Sequence, residues 1–282
     1  MGHDWVVPAE LDGQHVLAVP GGSDVVALAT AWFPDARWEQ QPSVSAPAVT
    51  RPAGARFRGV AVQEAAVVTT GSLRLGDAGL LVGPVTVEGH DLYGLAEPSE
   101  RAVAWTTAAA RHVAGLTVTP DRLHRLAPSA GAAVDLTLWS AQPVSAADVV
   151  PVVRPALSGS RLGGVPQPHG GAPTPFSLTA TFEYDGAIVV SMERPGERPA
   201  VLDALDWREH GPWAYRVVWE PLEPGELATE SPSPLHVIAR DRVAPSMARV
   251  AAALREAVGG TVVDSSGFVV TPDELRHRSA RR

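Results

Sequence analysis

Arg111-His-Val-Ala-Gly-Leu-Thr-Val-Thr-Pro-Asp121 reads as the last turn of a helix, a glycine stop and a short strand. Arg255-Glu-Ala-Val-Gly-Gly-Thr-Val262 repeats that order near the other end of the chain, and Val270-Thr-Pro-Asp273 then repeats the closing phrase letter for letter. Leu123 and Leu275 follow the two phrases at the same distance, and an Asp264–Gly267 turn supplies the residues inserted in the second copy. Further upstream, Ser23-Asp-Val-Val26 returns as Ala147-Asp-Val-Val150, each time shortly after a strand. Matches in the same order on like elements predict two related halves. The halves run over 14–126 and 132–278, with the Ala/Gly/Pro/Ser-rich segment 127–131 as linker.

The elements around those phrases agree. In the first half a strand over Gln14–Pro20 precedes a helix from Val25 to Phe33, with Ser23 and Asp24 as capping residues and Pro34 as the stop. Strands follow at Phe57–Thr70, Gly79–Val87 and His90–Leu95. Pro98-Ser99-Glu100 then opens a helix whose apolar positions Ala102, Trp105, Ala109, Val113 and Leu116 recur at helical spacing. In the second half Val134–Trp139 is a strand, and Ser145 caps a helix that reaches about Leu157 and is ended or kinked at Pro155. Asp185-Gly186 joins Phe176–Tyr184 to Ala187–Glu193 as a hairpin. Asp203–His210 is irregular or a short helix, Trp213–Trp219 alternates as a strand, Leu235–Ala239 reads as a strand, and Pro245–Val258 as a helix. The expected fold is therefore α+β: two pseudo-repeated units, each a mainly antiparallel sheet of four or five strands with two helices on one face.

Composition narrows the chemistry. The chain has 282 residues, no cysteine, 23 basic and 31 acidic residues, and a net charge of −8. Every basic residue is arginine; lysine and asparagine are absent. Disulfides, thiolate nucleophiles and thiolate metal sites are excluded. So are a Schiff-base lysine, a phosphate-loop lysine and a papain-like triad completed by asparagine. The acidic balance argues against nucleic acid, since the one dense basic cluster is the short tail Arg276–Arg282. No apolar run approaches the roughly 20 residues that span a bilayer, so no membrane is expected. Met1–Pro8 lacks the charged and apolar regions of a signal peptide. With no cysteine to oxidise, a cytoplasmic location is expected.

Chemistry-bearing residues are scattered. His90-Asp91 pairs a histidine with a carboxylate, but strand neighbours point to opposite faces. His236, Asp241, His210, Asp206 and Glu209 supply metal-ligand types without ligand spacing, so no metal and no cofactor is expected. Gly163-Gly164 and His169-Gly170-Gly171 lie in a long loop that enters a strand, whereas a phosphate cradle enters a helix. Trp207, Trp213, Tyr215 and Trp219 are the most unusual cluster. Trp213, Tyr215, Val217 and Trp219 share one strand face by period two. That face is either the core side under a helix, which is the default, or a stacking platform with Arg216 and Trp207 beside it. Trp207, Trp213, Tyr215, Arg216, Trp219 and His169 are the candidate partner-binding residues.

The reading that follows is a non-catalytic binding protein. It presents a surface or inter-repeat cleft to a protein partner, in an immunity or accessory role. The alternatives are a hydrolase or isomerase using dispersed His and Asp/Glu residues, and a self-associating structural subunit.

Overall fold

Strand alternation and the caps described above recur as the framework of a computed structural model, which describes residues 6–45, 67–126, 133–163, 175–228 and 232–280. The chain divides into two compact units: Met1–Ala29 with Asp35–Ala127, and Thr30–Pro34 with Pro128–Arg282.

The first unit starts with β1 (His15–Pro20), α1 (Val25–Thr30) and β2 (Arg37–Gln40). A separate two-stranded pair, β3 (Ser43–Ser45) and β4 (Val67–Thr69), precedes β5 (Gly71–Arg74), β6 (Leu80–Val87) and β7 (His90–Ala96). Then come α2 (Glu100–His112), β8 (Leu116–Val118) and β9 (Arg125–Leu126). Ser99 caps α2, its Oγ accepting the Ala102 N–H at 3.1 Å, a contact type worth about 1 kcal/mol. Trp105 of α2 is fully buried, and its Nε1 donates to the Leu28 carbonyl of α1 at 3.0 Å.

The second unit runs β10 (Leu136–Ser140), α3 (Ala146–Val153), β11 (Arg161–Gly163), β12 (Phe176–Phe182) and β13 (Gly186–Glu193). It continues with α4 (Trp207–His210), β14 (Trp213–Glu220), α5 (Pro234–Val258), β15 (Thr261–Asp264), β16 (Val269–Val270) and α6 (Pro272–Ala280). Ser145 caps α3 as its sequence position requires, and the helix tightens into a 3-10 turn at Arg154–Leu157, where Pro155 removes a backbone donor.

Each unit has one seven-stranded antiparallel sheet, and the two have the same topology. The strand orders are β2-β5-β6-β7-β1-β8-β9 and β11-β12-β13-β14-β10-β15-β16. Registers match as well. Leu17 of β1 lies opposite Tyr93 of β7 and Thr117 of β8, and Leu138 of β10 lies opposite Tyr215 of β14 and Val262 of β15. Four or five strands were expected in each sheet. The additional ones are pieces such as β2, β9 and β11, two to four residues long, too short for alternation to declare them.

The two units are alike, and of the phrases that suggested it those at 111–118 and 255–262 fall on like elements, a helix end running through glycine into a strand, one residue out of register; the repeated Val-Thr-Pro-Asp does not. Val118 closes β8, so Thr119-Pro-Asp121 turns the chain toward β9. Val270 closes β16, so Thr271-Pro-Asp273 starts α6, with Thr271 Oγ1 accepting the Glu274 N–H at 3.2 Å. By register the counterpart of Val118 is Val263. Asp24 is the residue before α1 and accepts the Ala27 N–H, whereas Asp148 lies inside the first turn of α3 behind the Ser145 cap. Short identities recur by composition in an Ala-, Val- and Pro-rich chain; topology and register do not.

One element differs outright. Leu235–Ala239 belongs to the 25-residue helix α5 rather than to a strand. Ser233 caps that helix and Pro234 takes its first turn, where a missing N–H costs nothing. The run Leu-His-Val-Ile-Ala is apolar enough for either structure, and packing decides: His236, Arg240, Val243, Met247 and Val250 form a buried stripe at helical spacing.

That stripe faces the main core of the second unit. Val243, Met247, Val250 and Leu254 of α5 and Val149 and Val153 of α3 cover Leu136, Leu138, Tyr215 and Val217 of the sheet. On the opposite face Trp139, Ala214 and Val263 pack under Val201 and Leu202. The corresponding face of the first unit, with Val16, Ala18, Leu92 and Val118, is packed by Val7 and Leu11.

Candidate functional site

β14 decides the fate of the aromatic row. Tyr215 and Val217 are fully buried, Trp219 is 2% exposed, and Trp213 packs partly buried against the same core. The row is the face covered by α5, so its members hold the fold together instead of forming an open platform. The polar tips of Tyr215 and Trp219 have partners inside the unit. The Tyr215 hydroxyl donates to the Gln142 carbonyl at 2.7 Å and accepts the Val144 N–H at 2.9 Å. Trp219 Nε1 donates to the Asp185 carbonyl at 2.8 Å, and its ring meets that of His236 at 4.8 Å. Arg216 points to the other face, exposed, and pairs with Glu193 at 2.8 Å. His169 lies outside the described residues.

Trp207 is the member of the set that faces solvent. It is 61% exposed, with the Arg208 guanidinium 5.8 Å from its ring centroid, within cation–π range. It borders an open cleft of about 480 Å3, within the usual range of ligand sites, roughly 300–1,000 Å3. Trp139 of β10 lines that cleft, and Arg194, Glu197, Arg198, Trp207 and His210 come from the connection between β13 and β14. In the first unit the corresponding strands, β6 and β7, are joined by Glu88-Gly89 alone. The cleft is thus made by the segment Arg194–Pro212, which the other sheet does not have.

The connection is anchored at its base and open at its rim. Leu202 is fully buried against the sheet. Asp206 caps α4, accepting the Arg208 N–H at 2.9 Å. The Glu209 carbonyl accepts the Thr261 hydroxyl at 2.9 Å. His210 is 3% exposed, its Nδ1 at 3.2 Å from the Gly211 carbonyl. Arg194, Glu197 and Arg198 stand exposed above this base.

The charges there are mostly spent. Arg198 pairs with Asp203 at 2.8 Å, and Arg208 approaches Asp206 at 3.9 Å. Arg194 and Glu197 make no ion pair among the described residues. Trp139 is 5% exposed, and its buried Nε1 has no hydrogen-bond acceptor among the described residues. A buried donor left in that state costs about 1–3 kcal/mol. The arrangement offers a flat aromatic surface, one uncommitted guanidinium and one uncommitted carboxylate, with an indole donor buried in the wall beneath them.

The other sequence candidates are not brought together. Asp91 accepts from Thr86 Oγ1 at 2.8 Å and from the Gly22 N–H at 3.2 Å, while His90 Nδ1 lies 3.3 Å from the Glu88 carbonyl. His236 packs against Trp219 with the rings tilted by 54°, and Asp241 lies 3.7 Å from Arg240. Among the described residues no group of three or more His, Asp or Glu side chains is placed to hold a metal ion. No described helix is long and apolar enough to cross a membrane. Trp139, Arg194 and Glu197 escaped the sequence reading, and His210 entered it only as a metal-ligand type. The visible signal was Arg194-Pro-Gly-Glu-Arg-Pro199, a Pro/Gly-punctuated run between two strands.

No protein-family model, no curated protein and no solved structure matches this chain.

Proposed function

We propose that this is a binding protein that carries out no reaction of its own and recognises a protein partner through the cleft of its second unit. One observation carries the reading: two sheets of the same topology differ in the connection Arg194–Pro212, and that connection carries the exposed Trp207 and the unpaired Arg194. A long connection on a rigid sheet is the usual place for recognition residues, and Trp and Arg are the side chains enriched at interface hot spots.

The test is capture of partners from host lysate on immobilised protein, with wild type beside the double variant Trp207→Ala/Arg194→Ala. Both side chains are exposed, so the variant is expected to keep its far-ultraviolet circular dichroism and melting point. The reading expects a specific captured protein that the variant loses. Equal capture by a folded variant overturns it. Capture of the chain itself, seen as a doubled mass, would transfer the role to a self-associating subunit.

A further inference from the structure

We infer that the cleft takes a peptide segment presenting a single carboxylate beside an aromatic ring. The inference rests on the binding role proposed above and specifies the chemistry recognised.

The charge comes from counting commitments. Three of the four arginines in and beside the cleft already face carboxylates: Arg198 with Asp203, Arg208 with Asp206, and Arg216 with Glu193. Arg194 is left, and a guanidinium fork matches an oxyanion geometrically. Glu193, Glu197, Asp203, Asp206 and Glu209 crowd the same segment, so a single carboxylate is held there only through the short-range fork of Arg194, and a dianion such as phosphate meets about twice the repulsion. The ring comes from Trp207, which leaves its face to solvent although exposed tryptophan is uncommon. The peptide character comes from the remaining polar groups. Glu197 accepts N–H groups and offers no donor when ionised. Trp139 Nε1, buried in the cleft wall, has no acceptor among the described residues, and a carbonyl that inserts between the wall and the connection would satisfy it. A peptide bond supplies both an N–H and a carbonyl.

The experiment uses the full chain labelled with 15N and follows the indole N–H signals, one for each of the eight tryptophans. They are assigned by single Trp→Phe variants. The probes are N-acetyl-phenylalanine, its neutral amide N-acetyl-phenylalaninamide, and inorganic phosphate. The expected result is saturable movement of the Trp207 and Trp139 signals with the carboxylate probe, at least tenfold weaker binding of the amide, and no movement with phosphate. Arg194→Gln is expected to weaken the carboxylate probe about tenfold and leave the amide unchanged. Equal binding of acid and amide, or movement with phosphate, overturns the inference. So does the absence of any movement. None of those outcomes touches the proposed binding role, which stands or falls on the capture experiment.

Discussion

Tyr93 and Tyr215 occupy the same place in two different sheets: each lies opposite the leucine in the first strand of its unit, Leu17 or Leu138. Their hydroxyls are not treated alike. Tyr215 donates to the Gln142 carbonyl and accepts from the Val144 N–H, fastening the chain between β10 and α3. The Tyr93 hydroxyl has no hydrogen bond among the described residues, and at the equivalent place Asp91 accepts from the Gly22 N–H.

Removing the two hydroxyls is therefore expected to have unequal effects. Tyr215→Phe strands a carbonyl and an N–H and is expected to cost about 1–3 kcal/mol. Tyr93→Phe leaves nothing unpaired and is expected to stay within about 0.5 kcal/mol of wild type at neutral pH. Urea unfolding of the two variants measures both, and equal losses would contradict the assignment.

The same tyrosines govern the alkaline limb. Burial, helped by the carboxylates of Asp91 and Asp24, pushes the Tyr93 phenol up to about 12 from an ordinary 10.0. Burial also raises Tyr215, against the opposing N–H of Val144. An acid whose folded pKa is raised holds its proton longer in the folded state, so stability falls as pH rises from 10.0 toward about 12. With no lysine or cysteine in the chain, few other groups titrate there. Tyr93→Phe is expected to recover on the order of 2 kcal/mol of stability near pH 12. The absorbance of phenolate at alkaline pH, followed beside the urea midpoint, reads the titration and its consequence together.

Asp135 gives the corresponding test in acid. Its carboxyl is raised by burial, partly opposed by the Trp219 N–H that it accepts at 2.9 Å. Stability is fully present below the ordinary carboxylate value of 3.8 and is lost as pH rises through the higher folded value. Asp135→Asn keeps an acceptor for Trp219 and carries no charge. It is expected to match the wild type at low pH and to be more stable than it at pH 7, where the buried carboxylate carries its charge. A variant less stable at pH 7 than at pH 3, relative to wild type, would reverse the assignment.

The helix ends supply a fourth prediction. Gly115 and Gly260 follow α2 and α5, and a Cβ at either would collide with a carbonyl oxygen of the unit's first strand, that of Ala18 in β1 or of Trp139 in β10. Gly115→Ala and Gly260→Ala are each expected to cost about 2 kcal/mol or more. One position earlier, Gly259 has φ 67° while Ala114 is held at φ 55°. Ala114→Gly relieves a conformation that side chains resist and is expected to gain about 0.5–1 kcal/mol. Thermal melts of the three variants decide the signs.

Much of the framework was legible because its signals are local. Ser99 and Ser145 are short hydroxyl residues before apolar helical runs, and both cap as read. Asp185-Gly186 marks the β12–β13 hairpin, where Phe182 pairs with Gly186. Alternation from Trp213 to Trp219 is a strand. The edge strands β2, β9 and β11 and the first half of α5 were not legible. A two-residue strand such as β9 exists only through its partner β8, and Leu235–Ala239 is helical because its inward residues join the α5 core. In the candidate site, the set read from the sequence mixed Trp207, which faces solvent, with Tyr215 and Trp219, which do not.

The sequence by itself determined the class of chain: no thiol or lysine chemistry, caps and turns at fixed places, strands with one aromatic face, and two halves of like element order. Those follow from residue type and nearest neighbours. Tertiary structure alone decided which face of β14 is covered, which matching phrases are equivalent, and where a cleft opens. Each depends on residues far apart in sequence, as when Met247 of α5 joins Tyr215 in one core, or Trp139 lines a cleft with Arg194 and Trp207. A period of two places Trp213, Tyr215 and Trp219 on one side of a strand. Only burial against a helix from elsewhere in the chain says whether that side meets water.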